Sequence, residues 1–164
     1  MKIQKRRRIE NKTDYGKRIK FLKSSNPRVT FRKTNRYILS QYIESKEAQD
    51  KIIINLSSKA LLKHGWPKEF EGSLKSIPAS YLLGYLVGHT IKKHKLTTPI
   101  LDFGMIALEH RNKTFAFIKG IIDSGIEISC DKENFPEKEK IEGKNLKKDF
   151  TKHFEQIKLK IAKE

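Results

Sequence analysis

The sequence is poor in most of what small enzymes and secreted modules depend on. It has 1 Cys, 1 Trp, 2 Met and 5 Pro in 164 residues. A single thiol, Cys130, excludes an internal disulfide framework and any Cys-rich zinc site. It is read as an inert small side chain, and a reducing cytosol is the expected setting. Long apolar runs are missing too. The longest, Tyr81 to Val87, has Gly84 inside it and is far short of the ~20 residues that cross a bilayer. No apolar segment follows the basic start, so no signal peptide is expected. Acidic residues are scarce, 19 Asp+Glu against 36 Lys+Arg, for a net charge of +17. The apolar share is 37% and the charged share 34%, against roughly 45–50% and 25% in ordinary domains. A thin core under a very ionic surface follows.

The charge is polarised. From Met1 to Arg36 there are 14 Lys/Arg, opposed only by Glu10 and Asp14, so this segment carries +12 of the total. Such a block repels itself until a polyanion neutralises it. A membrane anchor would need an apolar face beside the cations, and residues 1–12 offer only Ile3 and Ile9. Nucleic acid is therefore the expected partner, with no membrane role and no small-molecule substrate.

Periodicity divides the chain into a basic arm and first helix (1–27), a globular body (28–128) and an extended segment with a basic helix (129–164). Residues 1–12 read as irregular. Thr13 is the expected cap of a helix ending near Lys23, with Tyr15, Ile19 and Leu22 on one face. Alternation predicts three strands, 28–34, 37–44 and 51–56, as an antiparallel meander. Ser58 is expected to cap a short helix to His64, and Ser76 a long one closing at Lys92 to Lys95. A buried strand at 98–105 and a helix at 114–124 complete an α/β (α+β) body, a mixed sheet with helices packed against it. Gly84 and Gly88 would let the long helix approach the sheet. Leu146, Phe150, Phe154, Ile157 and Ile161 form one apolar stripe on a C-terminal helix of about 18 residues. Docking on its own domain is the favoured reading of that stripe.

No phosphate loop, dinucleotide fingerprint or His-Glu-x-x-His motif is present. The five His lack zinc spacing and read as surface or loop residues. No cofactor and no metal are expected. The enzyme alternative is a Mg-dependent RNA nuclease, with Asp102 on a central strand joined by Asp123 and Glu127.

Several blocks carry a resemblance. Arg6-Arg7-Arg8-Ile9-Glu10-Asn11-Lys12-Thr13-Asp14-Tyr15 resembles the Arg-rich, Gly-Lys-Thr-Asp-Tyr start of one family. Arg32-Lys33-Thr34-Asn35 is similar to its first hairpin turn. His64-Gly65-Trp66, 79–84, 100–104 and 117–128 are similar to its later blocks, in order. The family is the archaeal and eukaryotic form of the 5S rRNA-binding large-subunit ribosomal proteins, the L-eighteen family. The match departs at Asn11, where Gly is usual, and at Gly16, where a larger residue is common. The resemblance implies a structural constituent of the large ribosomal subunit, cytoplasmic and not an enzyme. Its partners would be 5S rRNA in the central protuberance, large-subunit rRNA and a neighbouring 5S-binding ribosomal protein.

Double-helical RNA is recognised through shape, phosphates and 2′-OH groups, and Arg grips a phosphate with two N–H groups at once. The expected RNA contacts are therefore Arg6, Arg7, Arg8, Lys12, Lys17 and Arg18 from the arm and first helix. Thr13 and Tyr15 would add hydroxyl or stacking contacts. Arg28, Arg32, Lys33, Asn35 and Arg36 would contribute from the first hairpin.

Overall fold

The computed structural model describes residues 3–10, 12–47, 49–146 and 149–163. Lys147 and Lys148, expected on the outside of the last helix, and the Asn11 substitution lie outside the described residues.

The three expected strands form, as β1 (Arg28–Lys33), β2 (Ile38–Lys46) and β3 (Gln49–Ser57). β1 pairs antiparallel with β2, and β2 with β3. Thr34 sets the first turn: its N–H and hydroxyl both donate to the Tyr37 carbonyl, at 2.9 and 2.8 Å. β4 (Ile100–Asp102) joins β1 in parallel, giving a mixed sheet of order β3-β2-β1-β4. The expected buried strand at 98–105 is thus only three residues long, half-buried and on an edge, with β1 its one partner strand among the described residues. Asp102 does not stand on a central strand.

Alternation sorts the sheet into two faces. Val29, Phe31, Ile38, Tyr42 and Ile54 face inward onto the helices and are buried with Leu83, Val87, Phe117 and Ile121. The helices of that layer are α3 (Ile77–Lys93) and α4 (Lys113–Asp123). Ser76 caps α3, its Oγ accepting from the Ala79 N–H. Contacts run in step along both: Ser80 with Lys113, Gly84 with Phe117, Gly88 with Ile121 and Ser124. The two helices are therefore parallel and start at the same end. The glycines serve this pair rather than the sheet. A Cβ on Gly84 would collide with the Phe117 carbonyl, and one on Gly120 with the Tyr81 carbonyl.

A second core lies beyond α3. It holds Leu61, Trp66, Leu74, Tyr81, Ile141, Phe150, Phe154, Ile157 and Ile161. The C-terminal stripe is thus buried on this same body. The helix itself, α6 (Thr151–Ala162), is 12 residues long, so Leu146 and Phe150 precede it. Phe150 is wedged between the rings of Trp66 and Phe70, at 4.6 and 5.1 Å. The short α5 (Lys138–Glu142) buries Ile141.

Three local expectations are corrected. Residues 58–62 form a 3-10 helix capped by Ser57, not Ser58. The Ser58 hydroxyl instead accepts from the Ile38 N–H at 3.1 Å, tying the end of β3 to the start of β2. His64 lies in the turn that follows but is buried. Ile122, expected on the inner side of α4 with Phe115, Ile118 and Ile121, is only half-buried, whereas Phe117 is fully buried and meets Phe31 with ring centres 5.0 Å apart.

Candidate nucleic-acid interface

The outer face of the sheet carries the other, mostly polar half of the alternation: Arg28, Thr30 and Arg32 on β1, Gln41 and the apolar Ile43 on β2, Asp102 on β4. Two further helices belong to this side, α1 (Arg6–Ile9) and α2 (Tyr15–Ser24). The arm is therefore partly helical rather than irregular. Asp14, not Thr13, caps α2: its Oδ1 accepts from the N–H of Gly16 and Lys17 at 2.9 and 3.1 Å. These bonds, first that from Lys17, hold the Asp14 carboxyl below the usual aspartate range. α2 buries no residue fully, and Ile19, expected on its inner side, is exposed. Its four cations equal its apolar side chains in number and none of the latter is fully buried, so the helix rests on the sheet lightly.

Between α2, the arm and the sheet lies a cleft of about 260 Å³. Arg7, Lys12, Thr13, Lys17, Arg18, Arg28 and Arg32 line it, together with Asp14, Phe21, Thr30, Gln41, Ile43, Asp50, Asp102 and Gly104. Seven of the thirteen expected contact residues are thus brought to one place. Arg6, Arg8, Tyr15, Lys33, Asn35 and Arg36 do not line it. Arg6 extends from α1 into solvent and pairs with Glu10 at 2.7 Å. Arg8 is exposed on α1. Tyr15 is half-buried under the Lys5 ammonium, 4.6 Å from its ring centre. Lys33, Asn35 and Arg36 stand exposed at the hairpin turn.

Carboxylates organise the cleft. Asp50 Oδ2 takes Arg28 at 2.7 Å and Arg18 at 3.5 Å, while Oδ1 accepts from the Ser45 hydroxyl at 2.7 Å. Asp50 therefore ties α2 to the sheet. Arg28 is 7% exposed, so it forms the floor of the cleft, and its Nε has no partner among the described residues. On the other side Asp102 accepts from Arg32 at 2.9 Å and from the Gly104 N–H at 2.7 Å. Arg32 also donates to the Asp102 carbonyl at 2.8 Å. Asp50 was missed in the sequence because nothing local announces an ion pair across 32 residues. Gln41 was legible from the same alternation that placed Thr30 and Arg32.

The structure does not bring the three carboxylates of the nuclease alternative together. Asp102 is engaged with Arg32 and the Gly104 turn, and Asp123 accepts from the Tyr81 hydroxyl at 2.6 Å. Glu127 lies after α4 and lines surface hollows without either of them. Among the described residues no group of three His, Cys, Asp or Glu could hold a metal ion. No helix among them is long and apolar enough to cross a membrane.

Comparison with known proteins gives the same direction. The family profile of the ribosomal large subunit proteins 60S L5 and 50S L18 matches residues 1–99. The chain is 42% identical over 145 residues to the large ribosomal subunit protein uL18 of Korarchaeum cryptofilum, covering 88% of this chain and 72% of that one. It is 35% identical to the uL18 proteins of Caldivirga maquilingensis and Thermoplasma volcanium. Those alignments cover 88% and 87% of this chain, and 69% and 86% of the relatives. A profile over more than half of the chain and identities of 35–42% along most of it lead to one conclusion: the chain belongs to the L18-type family of large-subunit ribosomal proteins and is not an enzyme.

Proposed function

We propose that the cleft and arm bind 5S rRNA and help to anchor it in the central protuberance of the large subunit. The observation that carries this reading is the gathering of Arg7, Lys12, Lys17, Arg18, Arg28 and Arg32 around one opening on the outer face of a rigid sheet. The sheet fixes the hairpin cations, so fewer groups need ordering on binding. The arm adds charge that stays solvated until phosphates replace its water. Arg28 acts from the floor, keeping Asp50 and through it Arg18 in position. Arg6, Arg8, Lys33, Asn35 and Arg36 would extend the footprint beyond the cleft, with Thr13 and Tyr15 offering hydroxyl or stacking contacts. Large-subunit rRNA and a second 5S-binding ribosomal protein would be the neighbours. As a large-subunit ribosomal protein the chain works in the cytoplasm.

The test is binding of 5S rRNA to the full chain as salt is varied. If roughly 6–10 phosphates are neutralised, affinity falls by ~10³–10⁵ between 50 and 200 mM salt. Removing residues 1–12 should weaken binding strongly while the circular dichroism of the body is retained. A flat salt dependence, or full affinity without the arm, would overturn the reading.

A further inference from the structure

Six cations line the cleft among the described residues, but three carboxylates, Asp14, Asp50 and Asp102, stand among them. A surface shaped only to attract phosphate would exclude these groups. Asp14 is accounted for as the cap of α2. The other two come from opposite margins of the sheet, Asp50 from the edge strand β3 and Asp102 from the edge strand β4. Between them they hold three arginines of the cleft, Arg18 and Arg28 on Asp50 and Arg32 on Asp102.

The grip on Arg32 is extensive. A guanidinium has five N–H donors. Nη1 of Arg32 donates to the carbonyls of Phe31 and Asp102 at 3.0 and 2.8 Å, and Nη2 donates to Asp102 Oδ2 at 2.9 Å. The end of the fork that would hold a phosphate with two N–H groups is therefore occupied. Arg28 gives its Nη2 to Asp50 Oδ2 and is nearly buried. An arriving polyanion thus meets a carboxylate beside the cation it seeks at both margins, and like charges repel at that range. The pairs also fix the arginine side chains. A ligand whose phosphates match those positions has less to order on binding. One that does not match cannot draw the arginines to itself. A repulsive element of this kind weakens every polyanion, and only a ligand with further contacts that fit offsets it.

We propose that Asp50 and Asp102 are specificity-determining residues of the cleft, which discriminate against polyanions that bind by charge alone. The inference rests on the RNA-binding reading above and deepens it. The two carboxylates act through the arginines they hold and through their own charge, without touching the RNA.

The double variant D50N/D102N tests this on the full chain. Asn keeps the size and one acceptor oxygen of Asp and removes the charge, and circular dichroism checks that the variant is folded. Affinity is measured against salt for 5S rRNA and for a transfer RNA. In water, a carboxylate about 7 Å from a phosphate lowers affinity about threefold, so two carboxylates lower it about tenfold. The double variant should therefore bind the transfer RNA about tenfold more tightly. Its log–log salt slope should steepen by about 1–2 as arginines are freed for phosphate. 5S rRNA gains from the same loss of repulsion but loses the fixed arginines that it fits. Its affinity should change less, so that the preference for 5S rRNA falls by about threefold or more. E155Q, at an exposed carboxylate of α6 outside the cleft, should leave that preference unchanged. Should the double variant fail to fold, D102N alone reads the same preference, with about a threefold gain for the transfer RNA. An unchanged preference in the folded variant overturns the proposal. So does an equal loss of affinity for both RNAs, which would leave the carboxylates a purely structural role. Absence of any preference in the unmodified chain would instead overturn the 5S rRNA reading, and this inference with it.

Discussion

The two faces of one sheet show how a single stretch of chain divides its duties. On β1, Val29 and Phe31 are buried against α3 and α4, while Thr30 and Arg32 point to the cleft. The inner face is held by apolar packing, which tolerates no gap. The outer face is held by ion pairs at its margins, Asp50 with Arg28 and Arg18 on one side and Asp102 with Arg32 on the other. Stability and recognition therefore alternate residue by residue along β1, and each can be changed with limited damage to the other.

Removing an inner group should have the largest effect on stability. Phe117 is fully buried and packs on Phe31. Phe117→Ala should cost ~3–5 kcal/mol in urea unfolding, with RNA affinity retained wherever the variant is folded. Lost affinity in the folded variant would show that the faces are not independent.

On the outer face, Asp50→Asn removes the carboxylate that Arg28 and Arg18 share. Arg28 is nearly buried but Asp50 is partly exposed. The cost should therefore be about 2 kcal/mol, between a buried and a surface pair. A loss as large as that of Phe117→Ala would mean that the outer face is itself core.

The smallest change falls behind α3, away from both faces. Tyr81→Phe removes the donor to Asp123 and should cost ~1 kcal/mol. Burial, then Asp123, push the Tyr81 hydroxyl far above the usual tyrosine range near 10. The folded state thus favours the protonated form. Its contribution is complete below pH 10 and is lost as pH rises beyond that value. The variant should lose less stability than the parent in alkaline urea titrations. Parallel curves would remove Tyr81 as the cause.

Much of this was legible beforehand. Period-two alternation at 28–34 and 37–44 fixed which side chains face the helices. The stripe from Phe150 to Ile161 identified the face of α6 that docks. The Ser76 cap and the Lys-rich close of α3 marked its ends. The helix at the start of the arm, Arg6–Ile9, was hidden because its residues bury nothing and leave no apolar period. The glycines of α3 were assigned to the wrong neighbour, since a Gly-x3-Gly spacing announces close approach without saying to what.

Local sequence alone settled the first three strands, the helices α3 and α4, the lopsided charge and the side of those strands that meets the core, because these follow from patterns a few residues long. Only the folded chain decided that Asp50 steadies Arg28, that Asp102 belongs to a turn, and that Lys33, Lys75 and Lys113 converge at one end. Those relations join residues tens of positions apart, and electrostatic energy depends on distance in space, which spacing along a sequence does not carry.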